Sequence, residues 1–100
     1  MLTIEKSRQG AELAVSLEGR LDTASAPEFE AVVKNELAGV ERFVLELKKL
    51  QYTSSAGLRV ILLAQKTMNK QGIMILKNVS DGVMEVFEMT GLSDLLTFES

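Results

Sequence analysis

Two adjacent serines, Ser54 and Ser55, stand where a predicted strand ends and an apolar helical run begins. The N-terminus of a helix has unpaired backbone N–H groups and a partial positive charge, so an anion placed there is stabilised. A serine at that point can cap the helix through its hydroxyl, or it can carry a phosphate. On the residues alone a cap is the commoner outcome, and both interpretations stay open. The function depends on which of the two is correct.

The sequence lacks the side chains on which most enzyme chemistry depends. Its 100 residues contain no cysteine and no histidine, which excludes a thiol nucleophile, an imidazole base and the usual ligands of a zinc site. No lysine lies close in sequence to the two serines as a substitute base, and there is neither a phosphate-binding glycine loop nor a dinucleotide fingerprint. We therefore predict a protein that is not an enzyme and that has no cofactor or metal of its own.

Overall charge and hydropathy restrict the classes of partner and the compartment that the sequence predicts. The formal net charge is −3 without a basic cluster, which argues against a nucleic acid as the partner. The longest apolar run, at 60–64, is far too short to cross a bilayer, and residues 1–5 lack the basic and apolar pattern of a signal peptide. The absence of cysteine fits a reducing compartment. These features predict a cytoplasmic protein without direct membrane contact.

The first part of the chain predicts a hairpin followed by a helix. Apolar residues alternate with polar ones at 2–5 and at 13–18, on either side of the turn Gln9-Gly10, and Gly19 is expected to end the second strand. Ser25 and Glu28 have the spacing of a capping box at the start of a helix. The apolar stripe of that helix recurs every four residues, at Phe29, Val33 and Leu37.

The remainder alternates strands with helices. The predicted elements are a strand at 43–47, a helix from the two serines to Gly72, a buried strand at 73–76, a helix from Ser80 to Gly91 and a short last strand at 95–98. Strands joined through helices are expected to run parallel to one another. The sequence therefore predicts an α/β sandwich, with residues 1–100 as one domain. Its mixed sheet would have four to five strands and carry the helices mainly on one face.

Three short segments together resemble the STAS domain. They are Gly19-Arg20-Leu21-Asp22, the junction Ser54-Ser55-Ala56-Gly57-Leu58, and 87–92 with the sequence Phe-Glu-Met-Thr-Gly-Leu. STAS domains occur in bacterial anti-sigma factor antagonists and as appended modules of sulfate transporters. The three segments come in the family's order and span nearly the whole chain. Since the chain begins and ends with the domain, the resemblance points to the free-standing antagonist type.

The resemblance implies a set of site residues. The family's phosphoacceptor serine falls on Ser55, and the small residue and glycine that follow it fall on Ala56 and Gly57. Two positions depart from the family's pattern, because Ser54 stands where an aspartate is common and Arg59 stands where a glycine is common. The resemblance places all of these except the acceptor in the partner-binding surface. The residues alone leave open that Gly57 serves only the geometry of the helix start.

The family's other acid, on the loop after the second strand, falls on Asp22. Asp22 would contact the partner or orient the acceptor hydroxyl, or it would be a plain turn residue before the helix. Arg59, one turn into the helix, would pair with a phosphate or with Asp22, or would face solvent or a partner.

The function that the resemblance implies is a phosphorylation-controlled binding protein. Without phosphate, the antagonist would bind an anti-sigma factor, which is itself a serine kinase, and so release a sigma factor. Phosphorylation of Ser55 would break that complex. The partner would supply ATP and Mg²⁺, and a separate serine phosphatase would reset the switch.

Two other functions stay open. Ser54 in place of the aspartate is compatible with a STAS adaptor that is never phosphorylated and belongs to a larger signalling or transport assembly. A small nucleotide-binding protein ranks last, because the chain has no glycine loop to hold phosphates.

Overall fold

The computed structural model describes residues 1–99 of the chain. Its strands are β1 (Leu2–Gln9), β2 (Glu12–Leu21), β3 (Arg42–Thr53), β4 (Ile73–Lys77) and β5 (Phe98–Glu99). Its helices are α1 (Ala26–Glu36), α2 (Ser55–Asn69) and α3 (Asp81–Met89), and a short 3-10 helix follows at Leu92–Asp94. None of the helices within 1–99 is both long enough and apolar enough to span a membrane.

The five strands form one mixed sheet in the order β1-β2-β3-β4-β5. β1 and β2 are the antiparallel hairpin, and every later pair of neighbours is parallel. Each of α1, α2 and α3 connects two adjacent parallel strands and steps in the same direction along the sheet, so right-handed crossovers place all three on the same face. The α/β architecture, the mixed sheet and the one-sided placement of the helices are confirmed.

The core lies between the helices and one face of the sheet. Side chains of a strand alternate between its two faces, and the register sets which of them share a face. Leu45 of β3 lies between Val15 of β2 and Leu76 of β4, and all three are fully buried. Helix residues such as Phe29 and Ile61 close this layer from the other side.

β3 is longer than the sequence analysis predicted, because two bulges interrupt its alternation. Its register with β2 shifts once after Ser16 and again after Gly19, so β3 spends two extra residues against its partner. Each extra residue shifts the alternation by one, so the side chains that follow it point to the opposite face of the sheet. The residues buried on the helical face are therefore Leu47, Leu50 and Thr53, three apart instead of two. The predicted end of β2 at Gly19 is also wrong, since β2 continues to Leu21.

The predicted capping box at the start of α1 is wrong. Ser25 is the N-cap residue of α1, but its side chain makes no cap hydrogen bond. Its hydroxyl oxygen instead lies 2.9 Å from the carbonyl oxygen of Arg20 and accepts a hydrogen bond from the backbone N–H of Asp22. Because the Ser25 hydroxyl is hydrogen-bonded within the preceding turn, it does not cap the backbone N–H of Glu28.

The last predicted strand is shorter than expected. The segment 95–98 was predicted to be extended, but the 3-10 helix brings the chain to Leu95 and only Phe98–Glu99 pairs with β4. Phe98 still belongs to the core layer, because its ring lies 5.9 Å from that of Phe87 in α3. Among the methionines, Met68 and Met74 are buried in the core, whereas Met89 is 78% exposed.

Candidate functional site

The junction between β3 and α2 has a single connecting residue. β3 ends at Thr53, α2 begins at Ser55, and Ser54 between them has an extended backbone with φ −94° and ψ 175°. The Ser54 hydroxyl accepts a hydrogen bond from the backbone N–H of Gly57, at a long 3.5 Å. Ser54 is therefore the N-cap of α2. Ser54 thus supplies the cap, and Ser55 follows it as the first helical residue.

Ser55 is the first residue of α2, and its side chain is exposed. The first turn of the helix contains no acidic residue. Its leading backbone N–H groups have no carbonyl partner within the helix, so they and the helix dipole favour a negative group beside them. This end of α2 is open to an approaching protein and is electrostatically suited to a phosphate on Ser55.

The loop that carries Asp22 adjoins this junction. Leu21, the last residue of β2, pairs in register with Thr53, and the backbone N–H of Ser54 donates a 2.8 Å hydrogen bond to the carbonyl oxygen of Leu21. The two loops that leave β2 and β3 are thus held side by side. The structure brings Asp22 to the edge of the sheet from which Ser55 projects.

The carboxylate of Asp22 organises its own turn. Its Oδ1 accepts hydrogen bonds from the backbone N–H groups of Ala24 and Ser25, at 3.1 and 3.0 Å, and lies 3.0 Å from the Ser25 hydroxyl. The hydrogen bonds from Ser25 lower the pKa of Asp22 below its ordinary value. Asp22 is therefore charged at neutral pH and fixes the turn that leads into α1. Its contact with a partner stays a prediction.

Gly57 faces the interior of the protein. It is buried, and a β-carbon built on it would lie 2.6 Å from both Leu21 Cγ and Thr53 Oγ1. Such distances are far inside van der Waals contact, so the helix can approach the strand ends this closely only without a side chain at position 57. The structure supports the packing interpretation of Gly57, which the sequence had left open beside a role in partner binding.

Ala56 and Arg59 border a shallow groove between the first halves of α1 and α2. The groove has a volume of about 210 Å³, and Pro27 and Glu30 line it from the α1 side. Ala56 is half-buried and Arg59 is exposed. Arg59 forms no ion pair with any residue in 1–99, so of the alternatives left open by the sequence, the pairing with Asp22 is not present.

Sequence analysis missed a stacked pair beside this site. The guanidinium carbon of Arg20 lies 4.2 Å from the centre of the Tyr52 ring, and the two residues pair in register across β2 and β3. A signal for the pair was present in the sequence. Arg20 precedes Asp22 by two residues, and Tyr52 precedes Ser54 by two, so both side chains stand at the same distance from the ends of neighbouring strands.

Comparison with known proteins agrees with this geometry. The family model described as "STAS domain" matches residues 3–100. The chain is 41% identical over 81 residues to BtrV of Bordetella bronchiseptica, which is named as a proposed anti-sigma factor antagonist; the match covers 79% of this chain and 70% of BtrV. It is 31% identical over 97 residues to the anti-sigma-B factor antagonist of Staphylococcus aureus, covering 95% of this chain and 90% of that protein.

Solved structures share the fold at lower identity. The anti-sigma factor antagonist SpoIIAA in its unphosphorylated form superposes with a TM-score of 0.77 at 17% identity, covering 100% of this chain and 88% of that one. The phosphorylated form of SpoIIAA from Bacillus gives a TM-score of 0.75 at 19% identity, with coverages of 100% and 92%. An anti-sigma factor antagonist from Mycobacterium paratuberculosis gives 0.88 at 18% identity, with coverages of 98% and 85%. With the family model matching nearly every residue, the chain belongs to the STAS domain family.

Proposed function

We propose that this protein is an anti-sigma factor antagonist whose binding surface is switched by phosphorylation of Ser55. The observation that carries the proposal is the position of the Ser55 side chain, exposed on the first residue of α2 while Ser54 caps the helix. Two relatives at 41% and 31% identity carry the name of anti-sigma factor antagonist. Because Ser54 supplies the cap, the hydroxyl of Ser55 is not needed for capping and can accept a phosphate.

The switch acts at a surface and leaves the fold in place. A phosphate adds roughly −1.5 to −2 charges and three strong acceptor oxygens. The leading N–H groups of α2 favour that charge, and no acidic side chain in the first turn opposes it. The helix therefore accepts the phosphate, whereas a partner fitted to the neutral hydroxyl does not. Repulsion and desolvation worth ~3 kcal/mol would weaken such a complex about a hundredfold.

The partner is an anti-sigma factor that is also a serine kinase. Bound to the unphosphorylated protein, the anti-sigma factor is kept from its sigma factor; after it transfers a phosphoryl group to Ser55, it is released. The kinase binds the ATP and Mg²⁺, and a serine phosphatase restores the hydroxyl. The protein itself has a binding role without catalysis, in the cytoplasm where sigma factors act. The contact surface around the acceptor consists of Asp22, Ser54, Ala56 and Arg59. Gly57 is buried beneath this surface and allows α2 to pack closely on the strand ends.

The experiment is phosphorylation by each purified serine-kinase anti-sigma factor of the source organism, with ATP and Mg²⁺. Intact-mass spectrometry should show one added phosphate on the wild type and none on Ser55→Ala. Ser54→Ala is the matched control, because it removes the neighbouring hydroxyl and leaves the acceptor. Equal phosphate uptake by wild type and Ser55→Ala would exclude Ser55 as the acceptor. Binding without any phosphorylation would favour an adaptor that is not switched in this way.

A further inference from the structure

We infer that the stacked pair of Arg20 and Tyr52 is a second contact for the same partner, and that Arg20 receives a carboxylate of the kinase. The inference rests on the proposed function and deepens it, because it names a residue that determines which kinase is recognised. We call the two side chains the Arg20–Tyr52 pair. Its guanidinium carbon stands 4.2 Å over the ring centre, a geometry typical of a cation–π contact.

The pair lies within reach of any protein that covers Ser55. Three peptide units separate Tyr52 from Ser55, so their α-carbons are at most about 11 Å apart. A stable interface buries about 800 Å² on each partner, which corresponds to a circular patch of about 16 Å radius. Arg20 is the register partner of Tyr52 on the neighbouring strand, about 5 Å away. A kinase patch of that size centred on Ser55 therefore spans the distance to both side chains.

The bulges of β3 place this pair on the surface. Leu21 and Thr53 are buried on the helical face, so the residues that precede them, Arg20 and Tyr52, project from the opposite face. Arg20 is exposed, and the Tyr52 side chain is 39% exposed. Ser55 opens a helix that packs on the helical face. The pair and the acceptor are therefore on either side of the strand ends, and a partner must reach around that edge to contact both.

The guanidinium of Arg20 is free to bind a carboxylate. Among residues 1–99, Arg20 forms no ion pair. Two acids lie two residues away along the chain: Asp22 is engaged with the N–H groups of Ala24 and Ser25, and Glu18 forms no ion pair with Arg20. A guanidinium whose carbon lies over a ring still has N–H groups available for a planar acceptor, and a carboxylate matches them in a bidentate pair.

Stacking also lowers the cost of binding. A long side chain that a partner must first immobilise loses rotamer entropy on binding. The Tyr52 ring already restricts Arg20, so part of that entropy is lost before the partner arrives. Arginine and tyrosine are also the residue types enriched where single side chains dominate an interface.

The test measures the affinity of the unphosphorylated protein for the kinase that phosphorylates Ser55, by calorimetry or biolayer interferometry. Arg20→Ala should weaken binding about tenfold and Arg20→Glu about a hundredfold, because the reversed charge repels the carboxylate. Arg20→Lys should fall between the wild type and Arg20→Ala, since an ammonium keeps the charge and loses the bidentate geometry. Tyr52→Leu should weaken binding more than Tyr52→Phe, which keeps the ring. Lys66→Glu makes the same charge change near the far end of α2 and should bind as the wild type does.

The outcomes separate the two proposals. Melting curves verify that each variant is folded, and replacement of single kinase carboxylates by arginine should restore binding to Arg20→Glu at one position. If Arg20→Glu binds the kinase with an affinity within twofold of the wild type, the proposed Arg20 contact is wrong. The Ser55 switch is not affected by that result. A wild type that neither binds nor is phosphorylated by any of the kinases would overturn the proposed function and the contact with it.

Discussion

The α-carbon of Gly57 lies against the side chain of Leu21, so that a methyl group on Gly57 would stand 2.6 Å from Leu21 Cγ. This contact joins the start of α2 to the end of β2, the two segments that carry Ser55 and Asp22. The candidate site therefore depends on the packing beneath it, and a substitution that disturbs this packing tests the arrangement directly.

Gly57→Ala should destabilise the protein by about 1–3 kcal/mol, the usual cost of an extra methyl group in a packed interior. Helix propensity alone predicts the opposite, because alanine is better than glycine in a helix by about 1 kcal/mol. Urea denaturation gives the free energy of unfolding. The matched control is Gly82→Ala in α3, where an added β-carbon meets nothing within 4 Å and stability should hold or rise. A Gly57→Ala variant as stable as the wild type would refute the packing role.

Ser54→Ala should lower stability by about 0.5–1 kcal/mol, at the low end for an N-cap because the Gly57 N–H to Ser54 Oγ distance is a long 3.5 Å. Ser54→Asp should keep the cap, since aspartate accepts the same hydrogen bond. Thermal denaturation at neutral pH compares the three proteins. Equal loss in both variants would show that the hydroxyl of Ser54 contributes by some means other than capping.

Ser55→Glu should stabilise the protein by about 0.3–1 kcal/mol at low salt, because an acidic group is favourable in the first turn of a helix and α2 has none there. The gain should shrink in high salt, where screening weakens the effect. The same variant should bind the anti-sigma factor more weakly than Ser55→Ala does. Destabilisation by glutamate would contradict the claim that this end of α2 accommodates a negative charge.

The stability that Asp22 contributes should depend on pH. Its pKa is lowered in the folded protein by the hydrogen bonds from Ser25, so the folded state favours the charged form. The contribution is present above the unfolded pKa of about 3.9 and is lost as the pH falls through the lower folded value. Denaturation of the wild type and Asp22→Asn from neutral pH to pH 3 should show a difference that narrows on acidification. A difference that stays constant over this range would assign the effect to hydrogen-bond geometry alone.

The order of the elements and their placement could be predicted because local pattern and tertiary structure agree there. The hairpin around Gln9-Gly10, the buried strand that begins at Ile73 and the cap at Ser80 all form as their residue types suggest. The cap at Ser54 belongs to the same class, since its hydroxyl meets no competing group before Gly57. The resemblance added Asp22, whose position beside Ser54 no local pattern indicates.

The features that could not be predicted arise from contacts between segments distant in sequence. The bulges of β3 change its burial period from two to three, so Leu50 and Thr53 did not match a strand pattern. Ser25 matched a capping box by spacing, but the turn of Asp22 had engaged its hydroxyl. The stacking of Arg20 on Tyr52 depends on a register that only the assembled sheet defines.

Because Ser54 is the only residue between β3 and α2, the backbone at Ser55 cannot extend far from the folded domain. Many kinases draw an extended, pliable segment into their catalytic cleft, and this protein offers none at position 55. A kinase that phosphorylates Ser55, as we propose, would instead have to recognise the folded start of α2. A short synthetic peptide that copies residues 50–60 would therefore be a poor substrate, however faithfully it reproduces the letters around the acceptor.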